Sequence, residues 1–304
     1  MNWRAKCAID NAKGVLPFQA RLRRLKDRIS PYQPNFRRDL ETIVQGILQV
    51  EWVSEALPIK GASVLEIGSG WQPIVPLLYS LAGASQVILA DLNVLLRPDT
   101  FIATLESLRT QRQVILDGLH LDPKVLDHAL REDPGVSMED RLKEMHLVYI
   151  APCDCRNLNL SAASLDVVTS RNCLEHIPPD VIQEIFHESY RLLKPGGVAC
   201  HLVDHSDHWQ HHDKSLSRIN FLKYSDSIFR WTYIFNSLNY QNRLRHPEYI
   251  EMLHKAGFRL AREEHCVDEA SLRDLAQMRL AERFRGFSTE DLATIDSLLL
   301  AVKD

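Results

Sequence analysis

Apolar and polar positions along the chain follow two periods. Between residues 38 and 57, Leu40, Ile43, Val44, Ile47, Leu48 and Trp52 recur at helical spacing, which predicts an amphipathic helix ended by Pro58 and Gly61. Short apolar runs of strand length then recur at 64–67, 86–90, 147–150, 165–169, 198–203 and 298–302, and the more polar stretch 258–266, after the turn at Gly257, also reads as a strand. Helical stretches fall between them at 74–79, 179–193, 247–256 and about 269–285. Strands alternating with helices predict an α/β fold with a parallel sheet. Residues 1–30 read as helical and peripheral, cut off by Ser30-Pro31-Tyr32-Gln33-Pro34. The expected organisation is an N-terminal helical segment, 1–57, and an α/β domain, 58–304, carrying insertions at about 95–146 and 205–247. The first insertion predicts helices at 101–116, 123–130 and 138–145, split by Asp133-Pro134-Gly135, and reads as a lid, an oligomer contact or plain decoration. The second is rich in aromatic residues.

The chemistry concentrates where the first strand ends. Val64-Leu65-Glu66-Ile67 runs into Gly68-Ser69-Gly70 and then into a helical stretch. Glycines there let the backbone turn sharply and approach a ligand, and the helix amides after the turn face the ligand's polar groups. Asp91 ends the second strand, 21 residues past Gly70. An acid at that place accepts hydrogen bonds from both hydroxyls of a ribose. A lone Asp at a strand end otherwise serves as a turn or cap residue, and the spacing favours the ribose role.

These features resemble class I S-adenosylmethionine-dependent methyltransferases, over about residues 38–95 and 147–304. The resemblance rests on V-L-E-I-G-S-G at 64–70, Asp91, Asp154 after the third strand, L-D-V-V-T-S-R-N-C-L-E-H-I at 165–177, and L-L-K-P-G-G-V at 192–198. A dehydrogenase fingerprint needs a glycine where Pro73 stands. The resemblance implies a Rossmann-like seven-stranded sheet with the last strand antiparallel, and S-adenosyl-L-methionine as cofactor. It also implies that Glu66, Gly68, Ser69 and Gly70 contact the methionine moiety and that Asp91 holds the ribose, with Leu92 or Asn93 beside the adenine. Asp154, with Cys155, would meet the adenine amino group, and Arg171 and Asn172 would line the methionine end. Trp71 and Pro73 depart from the small residues that many members carry after the turn. A narrower resemblance, to bacterial methyltransferases of polysaccharide and other glycan pathways, rests on G-S-G-W-Q-P-I-V-P-L at 68–77, N-F-L-K-Y-S-D at 220–226 and N-R-L-R-H-P-E-Y-I-E-M-L-H-K-A-G-F at 242–258.

Methyl transfer from a sulfonium is an in-line displacement, so the protein must align the acceptor and take its proton. Ligands of parallel sheets lie at the carboxyl ends of the strands. His176 follows the fourth strand there, and His205 and His208 follow the fifth. His205, at the strand tip, is the expected base, His176 an aid, and His208 an orienting group. A loop histidine capping a turn with Asp204 or Asp207 is the plainer reading of His205. Trp209, Tyr224 and Trp231 are the expected acceptor wall, because the CH face of a sugar stacks on an aromatic ring; core packing is the plainer reading of each. No metal is assigned. Small-RNA and ubiquinone-pathway methyltransferases with an E-x-x-E-H ion site offer a comparison, but Asn172 stands where the first carboxylate would be. His205 or His208 would have to complete a set with Glu175 and His176.

Composition and charge narrow the partners. The chain has 304 residues, enough for one large α/β domain with additions, and no apolar run approaches the length of a membrane span. No secretory signal is read at the N-terminus. Six cysteines at 7, 153, 155, 173, 200 and 266 form no disulfide framework, which predicts a reducing, cytoplasmic setting. Residues 1–38 carry ten Lys/Arg against two Asp/Glu, whereas the whole chain has a net charge of −4. The acidic body offers no broad basic groove, so nucleic acid is not an expected substrate. The basic stretch around Arg21, Arg23, Arg24, Lys26 and Arg28 would allow weak contact with an anionic membrane surface, or pack on the acidic body. The expected reaction is methylation of an oxygen on a small molecule or sugar/glycan precursor. N-methylation, a metal-assisted reaction and a cofactor-binding scaffold without catalysis are the alternatives. Oligomerisation stays open.

Overall fold

The computed structural model describes residues 35–232 and 240–304. The basic N-terminal stretch therefore lies outside the described residues. Helix α1, Phe36–Ala56, starts where the Asn35 side chain accepts the Arg38 amide at 3.2 Å. It presses Ile43, Val50, Trp52 and Val53 onto the sheet with no more than 4% exposure. Its buried Gln49 amide donates to Thr169 Oγ1 at 3.2 Å, Ser170 O at 3.0 Å and Cys200 O at 3.3 Å, which ties the helix across two strands. Gly46 sits so close to the next helix that a Cβ there would meet Leu78 Cδ1 at 2.7 Å.

Strands β1 (Ser63–Ile67), β2 (Gln86–Ala90), β3 (Leu147–Ile150), β4 (Leu165–Arg171), β5 (Leu193–Asp204), β6 (Arg259–Val267) and β7 (Thr294–Val302) form one sheet of order β3-β2-β1-β4-β5-β7-β6. Every pairing is parallel except those of β7, which runs antiparallel to β5 and β6. This is the seven-stranded, Rossmann-like sheet with its last strand antiparallel that the sequence led us to expect. The central strands are buried and largely apolar because helices cover both faces. Edge strand β6 instead carries Arg259, Arg262, Glu263 and Glu264, charges that discourage edge-to-edge pairing.

Helix α2, Ile74–Leu81, and helices α3 (Pro98–Thr110), α4 (Arg112–Leu119), α5 (Pro123–Ala129) and α6 (Met138–Glu144) share one core with α1 and one face of the sheet. The stretch 95–146 is thus the β2–β3 connection, and its Phe101, Leu108, Ile115, Leu126 and Leu142 are buried in that core. Each such side chain contributes about 1.5–3 kcal/mol of burial. Helices α7 (Pro179–Leu192) and α9 (His246–Lys255) cover the other face through Ile182, Ile185, Phe186, Tyr249 and Leu253. A third, smaller cluster gathers Trp209, Ile219, Phe221, Leu222 and Phe229 with Phe284 and Leu292. Short helices α8 (Asp226–Thr232), α10 (Glu269–Leu275) and α11 (Thr289–Ala293) surround it.

Four boundaries differ from the sequence expectation: the helix expected at about 269–285 ends at Leu275, and the other three differ each for a local reason. The helix predicted at 101–116 is two helices, because Gln111 leaves helical geometry at φ −100°, ψ 23°. Residues 194–197, which the sequence expectation leaves between the helix ending at 193 and the strand starting at 198, are a bulge within β5, where the register to β4 shifts and Gly196 (φ 78°) donates its amide to Lys303 O at 2.7 Å. Strand β7 starts at Thr294 rather than 298, because its first residues include the polar Asp296 and Ser297, which blur the apolar signal while still pairing with β5.

The segment 241–246 is fastened under β5 by the fully buried Arg245. Its guanidinium donates to His205 O at 2.9 Å, to Asp291 O and Leu292 O at 3.2 Å, and to Thr294 O. Arg245→Ala strands these carbonyls without a donor, at about 1–3 kcal/mol for each buried group left unsatisfied. We expect it to lower the stability by about 3 kcal/mol or more, read as a drop in the urea midpoint.

Candidate active site

The site forms where strand order reverses, between the carboxyl ends of β1 and β4. Gly68 and Gly70 adopt φ 74° and 64°, the left-handed region that favours glycine. A Cβ on Gly68 would lie 2.1 Å from Cys173 Sγ, so the glycine turn and the loop after β4 touch directly. Asp91 is buried at the end of β2. Its Oδ2 accepts the Gly70 amide at 3.0 Å and its Oδ1 accepts the Asn93 amide at 2.8 Å. The carboxylate therefore holds the glycine turn in place, with lone pairs left on both oxygens. Leu92 and Asn93 are exposed beside it.

Several buried polar atoms around this turn have no protein partner: Glu66 Oε2, Ser69 Oγ, Asn172 Oδ1, and both carboxyl oxygens of Glu175. Native interiors rarely leave such groups unpaired, so a cluster of them marks a place built for a ligand. Of these, Glu66, Ser69 and Asn172 can pair with the cation and the carboxylate of an amino-acid group, whereas Glu175 lies further along the loop after β4. Burial pushes the Glu66 carboxyl up to about 8, with Arg171 opposing and Asp91 adding to the rise. Burial lowers the Arg171 guanidinium, against the pull of Glu41, Glu175 and Glu66. Its Nε donates to Gln45 Oε1 at 2.8 Å. Asn172 takes a left-handed conformation, φ 46°, which re-aims the chain toward the cleft. Cys155 is buried beneath the β3 loop. Asp154 is exposed and pairs with Arg156 at 2.6 Å, and that arginine also reaches Glu184 at 3.1 Å.

The acceptor side differs from expectation. His205 does not face the cleft. It is 3% exposed, with Nε2 bonded to Ser297 Oγ at 2.7 Å and Nδ1 to Leu244 O at 3.2 Å. Burial, and then the charge of Arg245, keep it far below the usual histidine range. The bend after β5 turns this ring inward against Tyr249, at 5.4 Å between ring centroids. His176 and His208 instead come together, with ring centroids 4.9 Å apart. His176 Nδ1 lies 2.8 Å from Tyr240 O, and His208 Nε2 lies 3.1 Å from Asp204 Oδ2. Burial works to raise Asp204, but the hydrogen bond and charge of His208, with bonds from Ser206, outweigh it and hold that carboxyl at about 2. Across the strand pair, burial and then Asp204 push Asp296 up to about 6.

Among the aromatic residues expected to line the acceptor, Trp209 is 7% exposed in the third core cluster, and Tyr224 packs against that cluster half-buried. The side chain of Trp231 lies outside the described residues. Two contributions were missed in the sequence. Cys173, whose sulfur excludes any side chain at Gly68, carried no signal. Asp204 reads in the sequence as a turn partner of His205, but it pairs with His208, four residues on from the strand tip.

Glu66 yields a prediction about stability. An ordinary glutamate titrates near 4.5 and the folded one near 8. The folded chain therefore keeps a proton that the unfolded chain releases. Stability from this group is full below pH 4.5 and is lost as pH rises to about 8. Glu66→Gln removes that loss. We expect the variant to melt higher than wild type, by a margin that widens from pH 5 to 8 and then levels, while binding S-adenosylmethionine more weakly. Melting curves and calorimetry across that range check both.

Residues 19–263 match the family model described as "Methyltransferase domain". No curated protein matches the sequence. Solved structures of similar fold include an S-adenosylmethionine dependent methyltransferase from Mesorhizobium loti, with 14% identity, 83% of this chain and 96% of that chain covered, and a TM-score of 0.41. A SAM-dependent methyltransferase from Methanosarcina mazei has 14% identity, 83% and 96% coverage, and a TM-score of 0.43. The geranyl diphosphate C-methyltransferase from Streptomyces coelicolor A3(2), in complex with Mg2+, geranyl diphosphate and S-adenosyl-L-homocysteine, has 12% identity, 84% and 78% coverage, and a TM-score of 0.47. With the family model spanning most of its length, the chain belongs to the methyltransferase domain family, as a class I enzyme that uses S-adenosylmethionine.

Proposed function

We propose that this enzyme methylates an oxygen of a small molecule or sugar/glycan precursor, with the proton handled by His176 and His208. The observation that supports this is the histidine pair itself, set beside the loop that touches the glycine turn. S-adenosylmethionine supplies a methyl group already activated on a positively charged sulfur. The chain's own residues have to hold the acceptor in line and relieve its hydroxyl of a proton. The Tyr240 carbonyl can only accept, so His176 Nδ1 carries the hydrogen and Nε2 is the acceptor. Asp204 likewise fixes the hydrogen of His208 on Nε2 and leaves Nδ1 as the acceptor. In this reading His205 orders the core beneath the site.

The cofactor assignments follow the same geometry. Asp91 takes the ribose on the lone pairs that its two amide bonds leave. Glu66, Ser69, Asn172 and the backbone of Gly68 and Gly70 meet the amino-acid end, with Arg171 balancing the charge. Leu92 and Asn93 flank the adenine, and Asp154 with Cys155 meets its amino group. Trp209 backs the acceptor wall, and Tyr224 edges it. The free thiols at Cys153, Cys155, Cys173 and Cys200 suit a reducing, cytoplasmic setting.

Two variants separate the halves of the site. Asp91→Ala should weaken S-adenosylmethionine binding more than tenfold by calorimetry; unchanged affinity contradicts the ribose role. His208→Ala should slow methyl transfer to hydroxyl acceptors by about 10²–10⁴-fold, with cofactor affinity within twofold of wild type. Wild-type turnover in that variant contradicts the base assignment.

A further inference from the structure

We propose that Glu175, His176 and His208 hold a divalent metal ion that activates the acceptor hydroxyl, an inference that rests on the oxygen-methylation reading above and gives the two imidazole lone pairs to the ion, so that with the ion bound it replaces the histidines in lowering the hydroxyl's hold on its proton. Ligand atoms from these three residues lie within 4.8 Å of one another, the one such group among the described residues. An ion with bonds of about 2.1 Å spaces its ligands about 3–3.5 Å apart, so small side-chain rotations close the set.

Three features of the cluster point to a cation rather than to packing. The first is Glu175. It is 2% exposed, yet neither carboxyl oxygen has a partner. Asp204 and Asp296 stand near it and add negative charge, against Arg171 as the nearby cation. A buried carboxylate in that company is costly unless something positive meets it. The second is the orientation of the histidines. A metal-bound imidazole characteristically gives its other N–H to a carbonyl or a carboxylate, which fixes the ring and raises its donor strength. His176 does this to Tyr240 O at 2.8 Å, and His208 to Asp204 Oδ2 at 3.1 Å. Both rings therefore keep one lone pair, on His176 Nε2 and His208 Nδ1.

The third feature is how the loops are braced. The Asn242 amide donates to Glu175 O at 2.7 Å, and its side chain donates to Leu174 O at 2.8 Å and Ile177 O at 2.9 Å. Asp204 Oδ1 accepts the Ser206 amide at 2.7 Å, which holds the carboxylate that orients His208. The two ligand-bearing turns, Leu174–His176 and His208–His211, are thus set before any ion arrives.

Two imidazoles and one carboxylate suit ions of intermediate softness such as Mn2+, Fe2+, Co2+ or Zn2+. Three protein ligands leave positions for the acceptor oxygen. An oxygen on the ion loses its proton more readily, and that proton passes to water. The oxygen lone pair then forms the new C–O bond as the C–S bond breaks. The sulfur keeps that electron pair and becomes a neutral thioether, and the ion is unchanged. Acceptors with adjacent hydroxyls, able to occupy two positions on the ion, fit best.

The test uses the full chain stripped of metal by chelator, with Mn2+ and Zn2+ as probes. Wild type should bind one ion per chain by calorimetry, with Mn2+ also read by its electron paramagnetic resonance signal. Glu175→Gln and His208→Gln should each weaken that binding more than tenfold. S-adenosylmethionine affinity and the circular dichroism spectrum, unchanged in both, show that the variants fold. Transfer to hydroxyl acceptors should stop in chelator and return with one of the ions. No ion binding to wild type, binding indifferent to both substitutions, or full turnover in chelator overturns the metal site. Ion binding of the expected pattern without transfer to any oxygen supports the site and overturns the oxygen-acceptor reading instead.

Discussion

At Gly68 there is no room for a side chain, and the rest of the site depends on that. Cys173 Sγ occupies the place where a Cβ would go, at 2.1 Å. The turn that leaves β1 and the loop that leaves β4 are therefore in contact rather than merely adjacent. One carries Glu66 and Ser69, and the other carries Asn172, Glu175 and His176. Only a residue without a Cβ, able to hold φ 74°, lets the two halves close on each other. Asp91 locks the arrangement from the third side by accepting the Gly70 amide.

The same neighbourhood accumulates polar groups that the fold itself does not satisfy. Arg245 shows how this protein pairs a buried polar group when the aim is structural, its guanidinium donating to four carbonyl oxygens. Glu66, Ser69, Asn172 and Glu175 instead leave buried oxygens unpaired, on the glycine turn and on the loop after β4. Leaving such groups unpaired costs stability, and a bound ligand offsets that cost. Single unpaired atoms occur elsewhere in the core, at Trp52 for example, but at the glycine turn and the loop after β4 they gather in one place.

The strand runs, the glycine turn and the acid at Asp91 were legible in the sequence because each depends on local chemistry: apolar period, positive φ, spacing along one β–α–β unit. The course of the loop after β5 was not. Asp204, His205 and His208 all follow one strand tip, and nothing in their spacing says which ring turns outward. The choice is made by Ser297, Leu244 and Arg245, between 39 and 92 residues away, which draw His205 inward. The polar start of β7 hid for a related reason: Asp296 and Ser297 interrupt the apolar run because they serve the region beyond β5. The aromatic insertion read only as rich in aromatic residues, with no indication that Trp209 and Phe221 would build a core of their own.

The central claim is that cofactor and acceptor meet between the glycine turn and the His176–His208 pair. A crystal structure with S-adenosylhomocysteine bound tests it most directly. The account predicts the ribose on Asp91, the amino-acid end against Glu66, Ser69 and Asn172, and the sulfur directed toward His176 and His208. A ligand seated elsewhere on the sheet, or a sulfur directed away from both rings, would contradict it.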